Sequence, residues 1–506
     1  MKFHLNRLAW IIFYAFLASV FVANCFGYLD PDFGFHLRVG ETIARERSVP
    51  HDQVYMWTLQ GKTWVDHEWL ANLFMSRLDQ IGGYVTVALF FSLLPLLGLL
   101  ILNRYLFKYY LKETSERFTF ALIEVGAVIG CLPHFGVRLQ EITFVALILL
   151  FILIDRVRHE QNTRLAYWLL PLLFFWACLH GGFLIGVTIT IGWLVYELML
   201  GDLDRKNLSR VLVWGLLGIA LTFVTPYGIA LYSFLSDYGS NPYYMSHIEE
   251  WRSPLRSPFR YDQLLYIFFL ITMDIAVWFS LKKRPALWQL VLLIGLTLLA
   301  LRSVRHFPLF AIASLLFITP LIIKPIFNSR SIPYRGVIGF ITIICLSVLT
   351  FGFVSGAKLT NTPFQSYCDN YPCGAINYLK AHPELAKLKI FNDYGWGGFI
   401  IGVAPEMRLF IDGRLPQYSF HGWTLLEEYN EFFQTEKIAD KLSEYNIKLI
   451  LFKPAERAYT PDWLERFLFG RKEFERHNKL IDYLAAHSSE WQAVYEDKNS
   501  KIWLKK

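Results

Sequence analysis

The chain has 506 residues, 54% of them hydrophobic and 18% charged, against roughly a quarter charged in an ordinary soluble domain, which excludes both a disordered chain and a simple soluble domain. Its net charge of +7 lies entirely in the first 356 residues, because the last 150 hold 20 Lys and Arg against 20 Asp and Glu. Basic residues among long apolar runs mark cytoplasmic loops and not a nucleic-acid patch, so the composition predicts an α-helical polytopic membrane domain (1–356) followed by a soluble α/β domain (357–506), with no nucleic-acid partner.

The first apolar run, 8–26, follows Lys2 and Arg7. No small-x-small cleavage site follows it, and Asn24 before Cys25 does not suit lipoprotein processing, so it reads as a retained signal anchor. Further runs able to cross about 30 Å of hydrocarbon cover 84–106, 119–137, 142–154, 165–179, 183–200, 208–225, 263–281, 286–301, 307–323 and 336–355, which makes eleven spans. The basic clusters around Arg104, Arg156, Arg205, Lys282 and Arg330 occupy every second segment between spans, on the same side as the N-terminus, so all are cytoplasmic. An odd number of spans then puts the C-terminal domain outside, with two long outer loops at 28–83 and 231–262.

The first outer loop opens with Tyr28-Leu-Asp-Pro-Asp-Phe-Gly-Phe-His-Leu-Arg. Pro31 at a first helical position with Asp30 as N-cap predicts a helix along the membrane surface, with Phe33, Leu37 and Ile43 on one side. Asp32 and His36, four apart, share a face. Asp30 and Asp32 either cap the helix and favour its dipole or carry chemistry. Later in the loop, Trp64-Val-Asp-His-Glu-Trp sets Asp66, His67 and Glu68 between two tryptophans of the kind that anchor at headgroup level. These three either cap an amphipathic helix running through Gln80 or bind a sugar hydroxyl or a metal.

Further polar groups gather at the same membrane face: Arg138, Gln140 and Glu141; His180; Arg302, Arg305 and His306; and Tyr243, Tyr244, His247, Glu249, Glu250 and Trp251. Arginines at an outer span end run against the charge bias, which points to an anionic partner such as a lipid phosphate, or to a salt bridge with a loop carboxylate. Asp274 is the one acid near the middle of a span. Ion-coupled transporters concentrate such groups at the midplane in repeated halves, and no repeat is visible.

Cys25, Cys131, Cys178 and Cys345 lie in spans and read as apolar fillers, whereas Cys368 and Cys373, outside, read as a local disulfide. Zinc is disfavoured because no second ligand pair stands at the right spacing. In the tail, helices at 375–381, 425–445, 462–469 and 472–487 alternate with strands at 389–392, 408–411, 448–452 and a final pair near 491–495 and 502–504, the pattern of a small α/β domain. Asp412-Gly413-Arg414 follows a strand, where ligand groups gather, or forms a tight turn with an internal ion pair. Gly395–Gly398 reads as a turn and lacks a dinucleotide fingerprint.

An Asp-bearing loop directly after the first span, an amphipathic loop helix, about eleven spans and an outer C-terminal domain resemble the GT-C superfamily of membrane glycosyltransferases. The stretches from Asp30 to Glu41, Trp64 to Leu70, Leu179 to Gly186, Asn392 to Phe399 and Phe410 to Arg414 resemble a largely uncharacterised bacterial branch of it, distantly similar to protein O-mannosyltransferases and aminoarabinose transferase. The resemblance implies a lipid-linked sugar donor such as a polyprenyl phosphate, membrane lipids around it, a glycan, lipid or protein acceptor, and inversion at the sugar. Carried over by position, Asp32 is the first choice for general base and Asp30 the second, with His36 beside them. Asp66, His67, Glu68, Arg138, His180, Arg302, Arg305 and His306 are the substrate-binding candidates. The superfamily's commoner Asp-Glu pair is here Asp-Pro-Asp, which leaves open which carboxylate acts and whether a divalent cation, Mg or Mn, takes part. A lipid or glycan transporter, or an envelope assembly scaffold, is the competing class.

Overall fold

The computed structural model describes residues 2–255, 261–280, 286–323, 360–420, 423–454, 460–461, 463–473 and 477–506. The expected span 336–355 and Cys345 lie outside these residues. The chain forms two compact units, and neither is one continuous stretch. One comprises Met1–Tyr28, Thr86–Ile229 and Ile248–Leu359; the other comprises Leu29–Val85, Ala230–His247 and Thr360–Lys506. The first outer loop, expected as part of the membrane domain, is thus built into the same unit as the C-terminal segment.

The first unit is helical because its runs are apolar on most faces, and a helix satisfies every backbone group within its own segment where water is absent. It contains α1 (Lys2–Gly27), the second half of α3 (Trp69–Tyr109), α4 (Thr114–Cys131), α5 (Gln140–His159), α6 (Leu169–Leu179), α7 (Phe183–Leu200) and α8 (Arg205–Leu221), followed by the helices Tyr261–Ser280, Leu287–Arg302 and Phe307–Ala313. The ends carry local signals. Asp204 caps α8 by accepting from the Asn207 amide at 2.8 Å, and Arg156, Arg158 and His159 lie in the last turn of α5, where cations favour the dipole. Ten of the eleven apolar runs fall on these helices. Four of the described helices are long and apolar enough to cross a membrane: Arg7–Gly27, Trp69–Tyr109, Phe183–Leu200 and Val304–Ile323.

In the second unit, α2 (Phe33–Glu46) begins two residues later than expected. Asp30 closes the preceding turn, its Oδ1 accepting from the Asp32 amide at 2.9 Å, so Asp32 and not Asp30 occupies the N-cap position. The amphipathic first half of α3 ends at Gly82 and Gly83, where the helix breaks. Gly83 has φ 67°, a region natural for glycine, and the Asn361 side chain accepts from the Val85 amide at 3.1 Å.

The sheet runs β1 (Ile390–Asn392), β4 (Leu449–Phe452), β6 (Lys501–Lys505), β5 (Trp491–Glu496). β1 and β4 are parallel and the other pairs antiparallel. The two-residue strands β2 (Ser419–Phe420) and β3 (Trp423–Thr424) pair separately. β4 is buried at all four positions, as its unbroken Leu-Ile-Leu-Phe requires for a strand covered on both faces. Cys368 and Cys373 are joined by a disulfide with a Cα separation of 5.4 Å.

Three local expectations are corrected. Residues 408–411 add no strand to the sheet: Asn392 takes over their edge, accepting from the Phe410 amide at 2.9 Å and donating to the Ile411 carbonyl at 2.9 Å. On their other side Leu409 bridges Met56 in parallel. The helix expected over 425–445 is broken into Leu425–Glu431 and Ile438–Glu444, and the break brings Phe432 against Phe391 with ring centroids 4.3 Å apart.

The glycines at 397 and 398 start a helix, Gly397–Val403, in place of a turn. Their role is close approach. A Cβ on Gly398 would collide with the Pro31 carbonyl oxygen and come within 3.1 Å of Asp32 Cα, and one on Gly402 would lie 2.8 Å from Gly34 Cα. Backbone on both sides leaves nothing flexible to give way. Gly398→Ala is therefore expected to destabilise this unit by about 1–3 kcal/mol, the usual range for overpacking, measurable as a lower thermal midpoint of the purified protein; an unchanged midpoint would show the packing to be looser.

Candidate functional site

Asp32 stands at the start of α2, its carbonyl accepting from the His36 amide at 3.2 Å. Its carboxylate lies against the Asp412-Gly413-Arg414 turn, so close that a Cβ on Gly413 would meet Asp32 Oδ1. Two motifs almost four hundred residues apart in sequence are thereby brought together. The turn carries the internal ion pair: Asp412 Oδ1 accepts from the Arg414 amide at 2.9 Å and from Nε at 3.1 Å, and Oδ2 accepts from Nη2 at 2.6 Å. The Arg414 guanidinium lies over the rings of Trp64 (4.7 Å) and Tyr55 (4.8 Å), while Gln53 accepts from its Nη2 at 3.4 Å. The aromatic residues of the first loop thus form a box around a C-terminal arginine, a cation–π arrangement. The Asp–Arg pair holds this turn in place beside Asp32.

His36 and Asp66 are linked through Asn72, which the sequence reading did not single out. Asn72 Nδ2 donates to both Asp66 oxygens at 3.0 and 2.9 Å. Its Oδ1 lies 2.6 Å from His36 Nδ1. With the amide so oriented, Oδ1 must accept, so neutral His36 carries its proton on Nδ1 and keeps Nε2 as the basic nitrogen. The available signal was a polar side chain among the buried Ala71, Met75 and Ser76 of an amphipathic helix.

Burial pushes the His36 imidazole down to about 4, against the smaller upward pull of the Asn72 bond and of Asp30. Burial pushes the Asp66 carboxyl up to about 6, against its bonds to Asn72 and the Glu68 amide and the attraction of Arg414. The two act oppositely on stability. A histidine held below its unfolded value loses stability as the pH falls from about 6.5 to 4, whereas a carboxyl held above its unfolded value loses stability as the pH rises from about 4 to 6. In Asp66→Asn only the first dependence remains, so acidification over that window should destabilise the protein by up to about 3 kcal/mol. In His36→Gln only the second remains, and acidification should stabilise. Thermal unfolding across pH checks this; parallel responses of the two variants would contradict the assignment.

His67 and Glu68 sit at the edge of the same unit. His67 Nε2 is 3.6 Å from Glu68 Oε1, and its ring is 5.5 Å from that of Phe234. Asp393, in the Asn-Asp-Tyr-Gly-Trp stretch, accepts from the Gly395 amide at 2.9 Å and pairs with Lys453 at 3.2 Å.

A second constellation lies in the helical unit. Glu250 is ion-paired with Arg305 and lies 3.9 Å from Arg138. Arg305 also lies over Trp251 (4.8 Å) and Arg138 over Tyr28 (5.8 Å). Burial raises the Glu250 carboxyl, but the two arginines outweigh it and hold the group below its ordinary range. The salt-bridge reading of Arg305 is therefore the one realised. His306 packs against Trp251 at 5.7 Å, and Arg302 is exposed. His180 is placed elsewhere, just after α6, its Nδ1 accepting from the Gly182 amide at 3.0 Å and lying 2.8 Å from the Thr143 hydroxyl, which fixes the turn between α6 and α7.

Among the described residues no three His, Cys, Asp or Glu side chains converge to hold a metal ion. Asp30, the nearest acid in sequence to Asp32, has an oxygen engaged in its own turn.

No protein-family model matches the chain, and no curated protein sequence does. Solved structures do. The Archaeoglobus fulgidus oligosaccharyltransferase with a tethered acceptor peptide superposes with a TM-score of 0.57 at 11% identity, over 89% of this chain and 69% of that one. The oligosaccharyltransferase AglB from Archaeoglobus fulgidus, in complex with an inhibitory peptide and a dolichol-phosphate, gives 0.53 at 12% identity, over 90% and 70%. The mycobacterial arabinofuranosyltransferase AftD gives 0.56 at 13% identity; 99% of this chain is covered, but only 40% of AftD. The chain therefore has the fold of these membrane glycosyltransferases, the GT-C fold.

Proposed function

We propose that this protein is a membrane glycosyltransferase that moves a sugar from a polyprenyl-phosphate-type lipid to an acceptor at the outer face of the membrane, with Asp32 as general base. The observation that carries the choice of Asp32 is its setting: the carboxylate at the N-cap position of α2 lies directly against Gly413 of the Asp412–Arg414 turn, while the Asp30 carboxylate closes a turn. The nearby positive end of the helix favours the ionised form that a base requires. In the step envisaged, Asp32 takes the proton of the acceptor as its oxygen or nitrogen attacks the anomeric carbon; the bond to the lipid phosphate breaks with its electron pair, and the sugar inverts. The reading of the donor is supported by the dolichol-phosphate bound to the AglB neighbour.

The test is an inventory of lipid-linked sugars. Cells lacking the protein should accumulate one polyprenyl-linked sugar, detected by mass spectrometry of the lipid extract, and lose the corresponding glycosylated product. An unchanged inventory under conditions where the protein is made would overturn the proposal.

A further inference from the structure

A groove of about 490 Å³ runs along the helical unit, lined by α5 through Ile142, Leu149 and Leu153 and by α6 and the turn before it through Trp168, Leu172 and Phe175. The α5 positions recur every three or four residues from Ile142 to Arg156, so the groove follows one face of that helix for about 21 Å at 1.5 Å per residue. That exceeds the depth of one leaflet, about 15 Å of hydrocarbon. The groove is apolar along its length and basic at one end, where Arg156 joins the lining.

That end has the features of a membrane interface. Trp168 and Tyr167 are exposed, with ring centroids 4.7 Å apart and the rings tilted against each other, as aromatic residues are placed at headgroup level. Arg164, one helical turn before Trp168, is exposed and has no ion pair among the described residues. Arg156 binds Glu160 through Nε and Nη2 only, at 3.0 and 3.1 Å. The other basic groups nearby are engaged: Arg158 with Glu197 and Arg210 with Thr163.

We propose that the groove is a binding site for an anionic phospholipid, one acyl chain lying between α5 and α6 and the headgroup phosphate at Arg164 and Arg156. A groove that is apolar for a leaflet's depth and cationic only at its mouth matches an amphiphile with one anionic end. By the bias of basic residues this mouth belongs to the cytoplasmic leaflet, where anionic lipids attract surface Lys and Arg. The site is thus distinct from the outer-face chemistry proposed above and does not depend on it.

The test is native mass spectrometry of the full-length protein in detergent, titrated with phosphatidylglycerol or with phosphatidylcholine of the same chains. Phosphatidylglycerol should give the more abundant bound state. Arg164→Gln, an exposed change that leaves the fold intact, should reduce phosphatidylglycerol binding about five-fold and leave phosphatidylcholine unaffected. Leu149→Trp, which fills the groove, should abolish retention of both; Leu172→Phe, a smaller intrusion, should weaken both and guards against a folding defect in the first. Equal binding of the two lipids, or indifference to both groove-filling variants, would overturn the proposal. So would displacement of the phospholipid by a polyprenyl phosphate at equal concentration, which would make the groove the donor's.

Discussion

Replacing Asp32 by Asn is expected to lower glycosyl transfer by roughly two to four orders of magnitude, the usual weight of a general base, while the protein still accumulates in the membrane. Asn keeps the size of the side chain beside Gly413 and removes the basic oxygen. Asp30→Asn is the matched control. The Asp30 carboxylate accepts the Asp32 amide at 2.9 Å, an amide oxygen can accept the same bond, and Asn is as good as Asp at such positions, so little activity should be lost. The readout is the lipid-linked sugar pool in cells expressing each variant: Asp32→Asn should resemble the deletion and Asp30→Asn the wild type. The reverse ranking would move the base to Asp30; two variants with wild-type pools would remove the loop from the chemistry.

The second large effect is structural. Asp412 and Arg414 have side chains only 0% and 1% exposed, and the guanidinium sits in the aromatic box of Tyr55 and Trp64. Asp412→Ala would strand a buried cation, which typically costs about 3–5 kcal/mol. That is a large share of the roughly 5–15 kcal/mol by which a domain is stable. The C-terminal segment is expected to become protease-sensitive at temperatures where the wild type resists. Removing both charges in Asp412→Asn with Arg414→Met should recover much of the loss, because an apolar replacement of a buried pair is often near neutral. A single variant as resistant as the wild type would mean that the pair carries little of the unit's stability.

What could be read from the sequence follows from how local each signal is. The helices of the first unit announce themselves through continuous apolar runs, and β1, β4 and the β5–β6 pair through short β-branched or aromatic stretches between polar turns. The Asp30-Pro-Asp32 start of α2 was visible, but which acid caps depended on a two-residue shift that propensity does not resolve. The edge at 408–411 was misread because its partner is the Asn392 side chain, and no periodicity reports a side chain standing in for a strand. The glycines at 397 and 398 read as a turn because their reason for being small lies elsewhere in the sequence, at Asp412 for the first and at Pro31 and Asp32 for the second. The meeting of Asp32 with Gly413, of Arg414 with Trp64, and of His36 with Asp66 through Asn72 is tertiary, so each residue could be nominated but not joined. Arg305 was legible as a cation against the charge bias, and only the fold shows that Glu250 answers it.

The parallel bridge between Met56 and Leu409, reinforced by the Trp57 amide on the Leu409 carbonyl at 3.0 Å and the Leu409 amide on the Tyr55 carbonyl at 2.9 Å, also sets a timetable. During synthesis at about 5–20 residues per second, the first loop exists for roughly 20–70 s before Leu409 is made. Through that interval Phe33, Phe35 and Trp64, all buried in the finished protein, have none of their C-terminal neighbours. The nascent loop therefore waits with an aromatic surface uncovered, and a ribosome that stalls shortly before residue 409 leaves behind a chain with its membrane helices made and a sticky, half-assembled head for quality-control proteases to recognise.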